Sequence, residues 1–242
     1  MTCSMVSDPR EKDINRFYTT EEINPKLKII EENFDEIREE FLQNRDKLIW
    51  TNWHGSTGYL GDRTAAYAGW RIGGLYAEMG GAEMSGIPKQ AYIDNLDVLE
   101  QNYGMKLYPD MDNEICYTEN SKLLPKLTKY LLRAGVTKRA AIGVVSPGKE
   151  IKWHIDPDPE YGDYAIIRGL WGLDVVPEEG KESYLCFGQP EYHIRKTFKN
   201  NEPMFFYGRI PHYVKNELST PRYVIVLDHD IDKDYLVNIS QP

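Results

Sequence analysis

The chain has 242 residues, of which 41% are hydrophobic and 28% charged, and its formal net charge is −9. That balance is typical of a folded globular chain rather than a disordered one, and the length suits one domain that buries its core without staples. The acidic surplus disfavours a phosphate backbone as partner, so nucleic acid is not expected.

Residues 1–22 are polar and read as a loose N-terminal tail with no leader-type apolar stretch. No apolar run reaches membrane-spanning length. The three cysteines, Cys3, Cys116 and Cys186, form no CxxC and suit a reducing compartment. These features together predict a cytoplasmic protein with no membrane partner, and they leave the oligomeric state open.

Asn24-Pro25 opens the first predicted helix, because Asn can cap and Pro is tolerated at the first helical position. Leu27, Ile30, Phe34, Ile37 and Phe41 follow at helical spacing and mark one apolar face. Residues 50–87 are rich in Gly, Trp and Tyr and read as loops and short strands, with WRIGGLYAEMGG a strand entering a turn. A second helix is predicted over 88–103, with Tyr92, Leu96, Leu99 and Tyr103 on one side. A third covers 121–134, faced by Leu124, Leu127 and Leu131, with Pro125 near its first turn and Gly135 as its stop. The segment 78–104 is also a candidate lid.

From Lys138 the character changes. Short runs rich in β-branched and aromatic residues, punctuated by Gly, Pro, Asn and Asp, predict seven or eight antiparallel strands. The fold class is therefore α+β: N-terminal helices packed outside a jelly-roll, cupin-like β core over residues 138–230.

Within IKWHID, alternation places His154 and Asp156 on one strand face, with Lys152 sharing it and Trp153 and Ile155 opposite. Pro157 favours extended backbone at Asp156. HxD alone is common and often just a hydrogen-bonded pair. A second histidine would complete a site, and His54, His193, His212 and His229 are candidates. With His212, which follows Pro211 in RIPHYVKN, the set matches a 2-His-1-carboxylate triad of the kind that holds non-haem Fe(II). Zinc would favour a closed tetrahedral set, and no cysteine is placed for one.

Two arginines lie in apolar strands. Arg222 begins RYVIVLDHD, ten residues after His212, and shares a face with Val224 and Val226, while Tyr223, Ile225 and Leu227 share the other. A buried guanidinium needs an anion, either a protein carboxylate or a bound carboxylate ligand, and a dicarboxylate such as 2-oxoglutarate would fit. Arg168 sits within AIIRGLWGLDVV. Trp153, Tyr164, Trp171, Phe206 and Tyr207 are candidate pocket walls, and Arg63, Arg71 and Lys152 are further candidate contacts for a carboxylate.

The succession PGKEIKWHID, an Arg-containing strand, IPHYVKN and PRYVIVLD resembles the aspartyl/asparaginyl β-hydroxylase family and, in layout, the cis-proline hydroxylases. The likeness is best over 138–230 and visible upstream in IEENFDEIREEF and CYTENSKLLPKL. It implies a single oxygenase domain spanning residues 1–242, with a double-stranded β-helix core that carries the metal site. The implied enzyme is an Fe(II)- and 2-oxoglutarate-dependent dioxygenase. It would use O2 to hydroxylate an amino acid, free or in a peptide, and release succinate and CO2. The resemblance makes His154, Asp156 and His212 the iron ligands and Arg222 the partner of the distal 2-oxoglutarate carboxylate. Arg168 is similar to an arginine that meets a carboxylate in the pocket, of co-substrate or of substrate, so a carboxylate-bearing substrate is expected. Leu170 stands where many members have a histidine, and Asp156 favours hydroxylation over halogenation. The competing reading is a cupin-like barrel that binds a ligand or partner without redox chemistry.

Overall fold

The structure is a computed structural model that describes residues 16–52, 69–79, 89–103, 105–156 and 164–240. The chain begins with short helices. α1 (Thr20–Ile23) starts in a capping box, in which the Thr19 side chain accepts from the Glu22 N–H and Glu22 accepts from the Thr19 N–H. Asn24 then caps a 3₁₀ turn over Pro25–Leu27, as the Asn-Pro pair predicts. Of the expected tail, residues 16–22 are packed: Tyr18 is buried and bridges to Phe205, and Arg16 pairs with Glu22. Residues 1–15 lie outside the described residues.

The predicted first helix is present but broken. α2 (Lys28–Glu32) and α3 (Phe34–Asn44) meet at Asn33, whose side-chain amide donates to the Ile29 carbonyl at 2.7 Å and competes with the backbone ladder. The apolar stripe survives the break, with Leu27, Ile30, Ile37 and Phe41 fully buried. The second helix divides likewise into α4 (Lys89–Asp94) and α5 (Leu96–Tyr103). In the third region α6 (Glu119–Leu123) stops where Pro125 cannot donate, and Pro125 starts α7 (Pro125–Arg133). Gly135, at φ +80°, ends that stretch. Glu40 of α3 accepts from the Lys126 and Leu127 N–H groups at 2.9 and 3.1 Å, so it caps α7 and ties the two helices together. A last helix, α8 (Lys233–Ser240), follows the final strand and was not expected.

Among the described residues twelve strands form two antiparallel sheets. The first four are β1 (Thr51–Asn52), β2 (Trp70–Glu78), β3 (Leu107–Asp110) and β4 (Ile115–Thr118). Eight more lie in the predicted β region: β5 (Arg139–Val145), β6 (Glu150–His154), β7 (Tyr164–Asp174), β8 (Ser183–Gln189), β9 (Tyr192–Thr197), β10 (Pro203–Tyr207), β11 (His212–Asn216) and β12 (Arg222–Asp232). The large sheet runs β10-β7-β12-β5-β2-β4-β3 with β1 on β2, and the small sheet runs β6-β11-β8-β9. From β5 onward the chain alternates between sheets except at the β8–β9 hairpin. That winding is the double-stranded β-helix, or jelly roll, expected from the sequence.

Each face of the large sheet has its own core. Ile142, Trp171, Ile225 and Leu227 pack under the helices with Leu124, Leu127 and Leu131. Val145, Phe206, Val224 and Val226 face the small sheet's Ile151, Leu185, Phe187 and Val214. The alternation predicted along β12 is thus observed, and each such aliphatic side chain contributes about 1.5–3 kcal/mol on burial. Among the described residues no helix is long and apolar enough to cross a membrane.

Candidate active site

The site lies between the sheets, and strand register builds it. His212, the first residue of β11, is the Cα partner of His154, the last residue of β6. Two strand-end histidines in direct register become neighbours, with ring centroids 4.1 Å apart. Pro211 has no N–H to leave unpaired at this strand entrance, and its carbonyl accepts from Gly188 N at 2.9 Å.

The route by which His154 faces inward differs from the expected alternation. The β6–β11 register shifts between His212 and Val214, whose partners are His154 and Ile151. Lys152 and Trp153 therefore oppose the single residue Tyr213, as in a bulge. Ile151 and His154 face the interior, Lys152 is exposed, and Trp153 stacks on Tyr213 on the outer side. Lys152 accordingly does not share the face of His154; its carbonyl instead accepts from His154 Nδ1 at 2.7 Å.

Asp156 follows β6, and its N–H donates to Gly208 O at 2.9 Å. His212 Nδ1 donates to Ile210 O at 2.9 Å. A carbonyl only accepts, so both imidazoles carry their proton on Nδ1 and turn the Nε2 lone pair toward Asp156. His154 Nε2 lies 3.8 Å from Asp156 Oδ1, and His212 Nε2 lies 3.6 Å from Oδ2. One donor atom from each of the three residues falls within 4.8 Å of the others, and all three side chains are buried. Burial holds the His154 imidazole below its usual range and His212 down at about 3, which keeps both neutral and ready to donate a lone pair. Burial would raise Asp156, but the Arg168 guanidinium beside it opposes this and the carboxyl is held at about 2.

These residues line a narrow cavity of about 30 Å³, walled by Trp70, Leu170, Phe206, Val214, Val224 and Val226. Arg222 lines it too. It is 2% exposed, lies 4.2 Å over the Phe198 ring, and its Nε has no hydrogen-bond partner. No carboxylate among the described residues pairs with it, and burial pulls its pKa down to about 9. The donor set therefore fits a divalent cation, and the unmatched guanidinium fits a carboxylate.

Arg168 is different. Its Nη1 donates to Asp156 Oδ2 at 2.6 Å, while Nε and Nη2 engage the two oxygens of Asp228. Protein carboxylates thus supply its anion. Asp228 also lies 2.6 Å from Arg139 Nη2. Neither Asp228 nor Arg139 was singled out from sequence. Alternation along β12 does place Asp228 on the face of Arg222, but recognising its partners requires the register.

Other candidates fall elsewhere. His193 is exposed, His229 lies along β12 opposite Ile167, and His54 and Arg63 are outside the described residues. Arg71 is exposed and lies over Trp50. Of the five aromatics offered as walls only Phe206 lines the cavity; Trp171 and Tyr207 pack toward the helices, Tyr164 is 56% exposed, and Trp153 is on the outer side. Trp70, Ile151, Leu170 and Val214 are walls that had not been singled out as such. The glycine-rich part of the candidate lid, residues 80–88, and Pro157 also lie outside the described residues. Cys116 and Cys186 are buried thiols away from the cavity lining.

Solved structures similar to this chain are remote. A prolyl hydroxylase of Trichoplax adhaerens, in complex with a hypoxia inducible factor oxygen degradation domain peptide, is 17% identical, with TM-score 0.40 over 86% of this chain and 82% of that one. A cupin domain of an XRE-family transcriptional regulator of Enterobacter cloacae is 17% identical, with TM-score 0.26 over 38% of this chain and 79% of that one. The fold assignment rests on the strand order itself. No curated protein matches the chain. The family profile for aspartyl/asparaginyl beta-hydroxylase matches residues 31–230, a span that takes in α3, both sheets, the three clustered side chains and both arginines, so the chain belongs to the aspartyl/asparaginyl β-hydroxylase family and is a hydroxylase in kind.

Proposed function

We propose that the protein is an Fe(II)- and 2-oxoglutarate-dependent dioxygenase that hydroxylates an amino acid, free or within a peptide. The observation that carries this reading is the convergence of His154 Nε2, His212 Nε2 and the Asp156 carboxylate, each imidazole oriented by a carbonyl behind it. Two neutral nitrogens and one carboxylate oxygen are a donor set that would suit Fe(II). When bound, the metal supplies activation of O2 coupled to decarboxylation of the 2-oxo acid to succinate and CO2.

The chain's own groups supply the rest. Arg222 would receive the distal carboxylate of 2-oxoglutarate, the anion its buried guanidinium lacks. Val224, Val226, Phe206 and Leu170 exclude water from the same space. A metal-bound Asp156 keeps its charge throughout, since Arg168 holds the carboxyl ionised. Arg168 lines the cavity and is already paired with Asp156 and Asp228, so a substrate or co-substrate carboxylate would share it with them.

The test is anaerobic addition of Fe(II) and 2-oxoglutarate, which should produce the visible charge-transfer band of the chelate, followed by succinate release in air. Mass spectrometry over free amino acids and short peptides then seeks gain of one oxygen. Absence of both band and succinate would leave only a binding barrel.

A further inference from the structure

One row of cross-strand pairs runs behind the triad. Asp228 of β12 is the Cα partner of Arg139 on β5 and of Arg168 on β7. The side chains follow the register: Arg139 Nη2 lies 2.6 Å from Asp228 Oδ2, Arg168 grips both Asp228 oxygens, and Arg168 Nη1 reaches Asp156 Oδ2 at 2.6 Å. All four residues are between 3% and 5% exposed. Burying four charges here serves no stability need that apolar residues could not meet, because such networks often give less than well-packed hydrophobic replacements. Their placement does serve Asp156, whose Oδ2 is engaged while Oδ1 is left for another partner.

We infer that Arg168, Asp228 and Arg139 form a positioning relay for the carboxylate ligand: Arg168 holds Asp156 by one oxygen, and Asp228, itself backed by Arg139, fixes Arg168 and offsets its charge. The inference rests on the metal reading above and goes beyond it. None of the three is a ligand of the cation, and Arg168, though it lines the cavity, has its donors engaged by Asp156 and Asp228. Their effect is on the direction in which Asp156 points and on the charge a cation meets. Arg139, Arg168, Asp228 and Asp156 carry two positive and two negative charges, and Arg222 adds a further positive charge to the cavity. Removing Asp228 makes the surroundings of a divalent cation more positive; removing Arg139 makes them less so.

The two changes should therefore act with opposite sign, which a purely structural role would not produce. The probe is Mn(II) alone, titrated by the electron paramagnetic resonance signal of the free ion, with circular dichroism as the check on folding. Asp228→Asn, which keeps the shape and a hydrogen-bond acceptor for Arg168, should weaken the Mn(II) Kd by at least about tenfold. Arg139→Gln should tighten it by about threefold or more. The double variant should return close to wild type, because one charge of each sign is gone. If both single variants weaken binding, or both leave it unchanged, or the double variant is worse than Asp228→Asn, the relay is wrong. Should Asp228→Asn fail to fold, Arg139→Gln decides alone: tighter binding supports the relay, and unchanged or weaker binding overturns it. Failure of the metal reading looks different. There the wild type would not bind Mn(II), or would bind it no better than His212→Ala, and both proposals would fall together.

Discussion

Replacing Arg222 with Met should do two opposite things, and together they isolate its role. The guanidinium is 2% exposed and its Nε has no partner, and burial alone takes its pKa from 12.5 to about 9. That depression corresponds to a penalty of roughly 5 kcal/mol on the charged form. The Phe198 ring 4.2 Å away returns about 1–2 kcal/mol of it through cation–π attraction. Met keeps the apolar stem, so the ligand-free protein should gain about 2–4 kcal/mol, in the range seen when buried charges are replaced by packed side chains. At roughly 2–4 °C per kcal/mol for a domain of this size, Tm should rise by several degrees. The sign holds at pH 7–8, where Arg222 is protonated in both folded and unfolded states. A folded pKa below the unfolded one means the penalty shrinks only as pH rises above about 9. With Mn(II) present, 2-oxoglutarate should raise the wild-type Tm by mass action, whereas the variant should lose at least about 2 kcal/mol of 2-oxoglutarate affinity, roughly thirtyfold, and with it most of that shift. Calorimetry with and without ligand reads both effects. A variant that is less stable without ligand, yet shifts as the wild type does with it, would refute the reasoning.

Four further outcomes are expected. His212→Ala should abolish tight Mn(II) or Fe(II) binding and turnover while circular dichroism stays near wild type; retained turnover would remove His212 from the ligand set. Acidification from about pH 6.5 toward 5 should destabilise the metal-free protein, by up to about 1.4 kcal/mol per pH unit for His212. The reason is that His212, held at about 3 in the folded state, can take up a proton only by unfolding; a flat urea-midpoint profile over that window would contradict it. Asn216→Ala should cost about 2–4 kcal/mol, because the fully buried amide donates to Val145, Ser146 and Thr220 carbonyls at 3.0, 3.3 and 2.9 Å and pins the turn that launches Arg222. Gly172→Ala should prevent normal folding or move the β9–β10 connection, since a Cβ there would sit 1.9 Å from Lys199 O; an unchanged Tm would mean that connection yields freely.

Much of the architecture is written locally. The apolar stripe Leu27–Phe41, the Asn24-Pro25 helix entrance and the run of short strands after Lys138 follow from periodicity and turn chemistry, which act over a few residues. So does the two-faced character of β12, because alternation needs only an extended backbone. The helix break at Asn33 was less legible, since a side-chain amide competing with one backbone bond hardly alters an apolar pattern. The candidate site divides the same way. HxD, PH and the arginine ten residues on could be seen as a set along the chain. Whether a buried arginine finds a protein carboxylate or awaits a ligand depends on cross-strand register, which is a property of residue pairs far apart in sequence. Register gave Arg168 the partner Asp228, the chain leaving β6 added Asp156, and Arg222 faces neither a register aspartate nor any other described carboxylate. A bulge, not alternation, turned His154 inward and sent Lys152 to solvent. The residue types for a metal centre were therefore determined by the sequence itself. Which charges that centre feels was decided only when β5, β12 and β7 lay side by side.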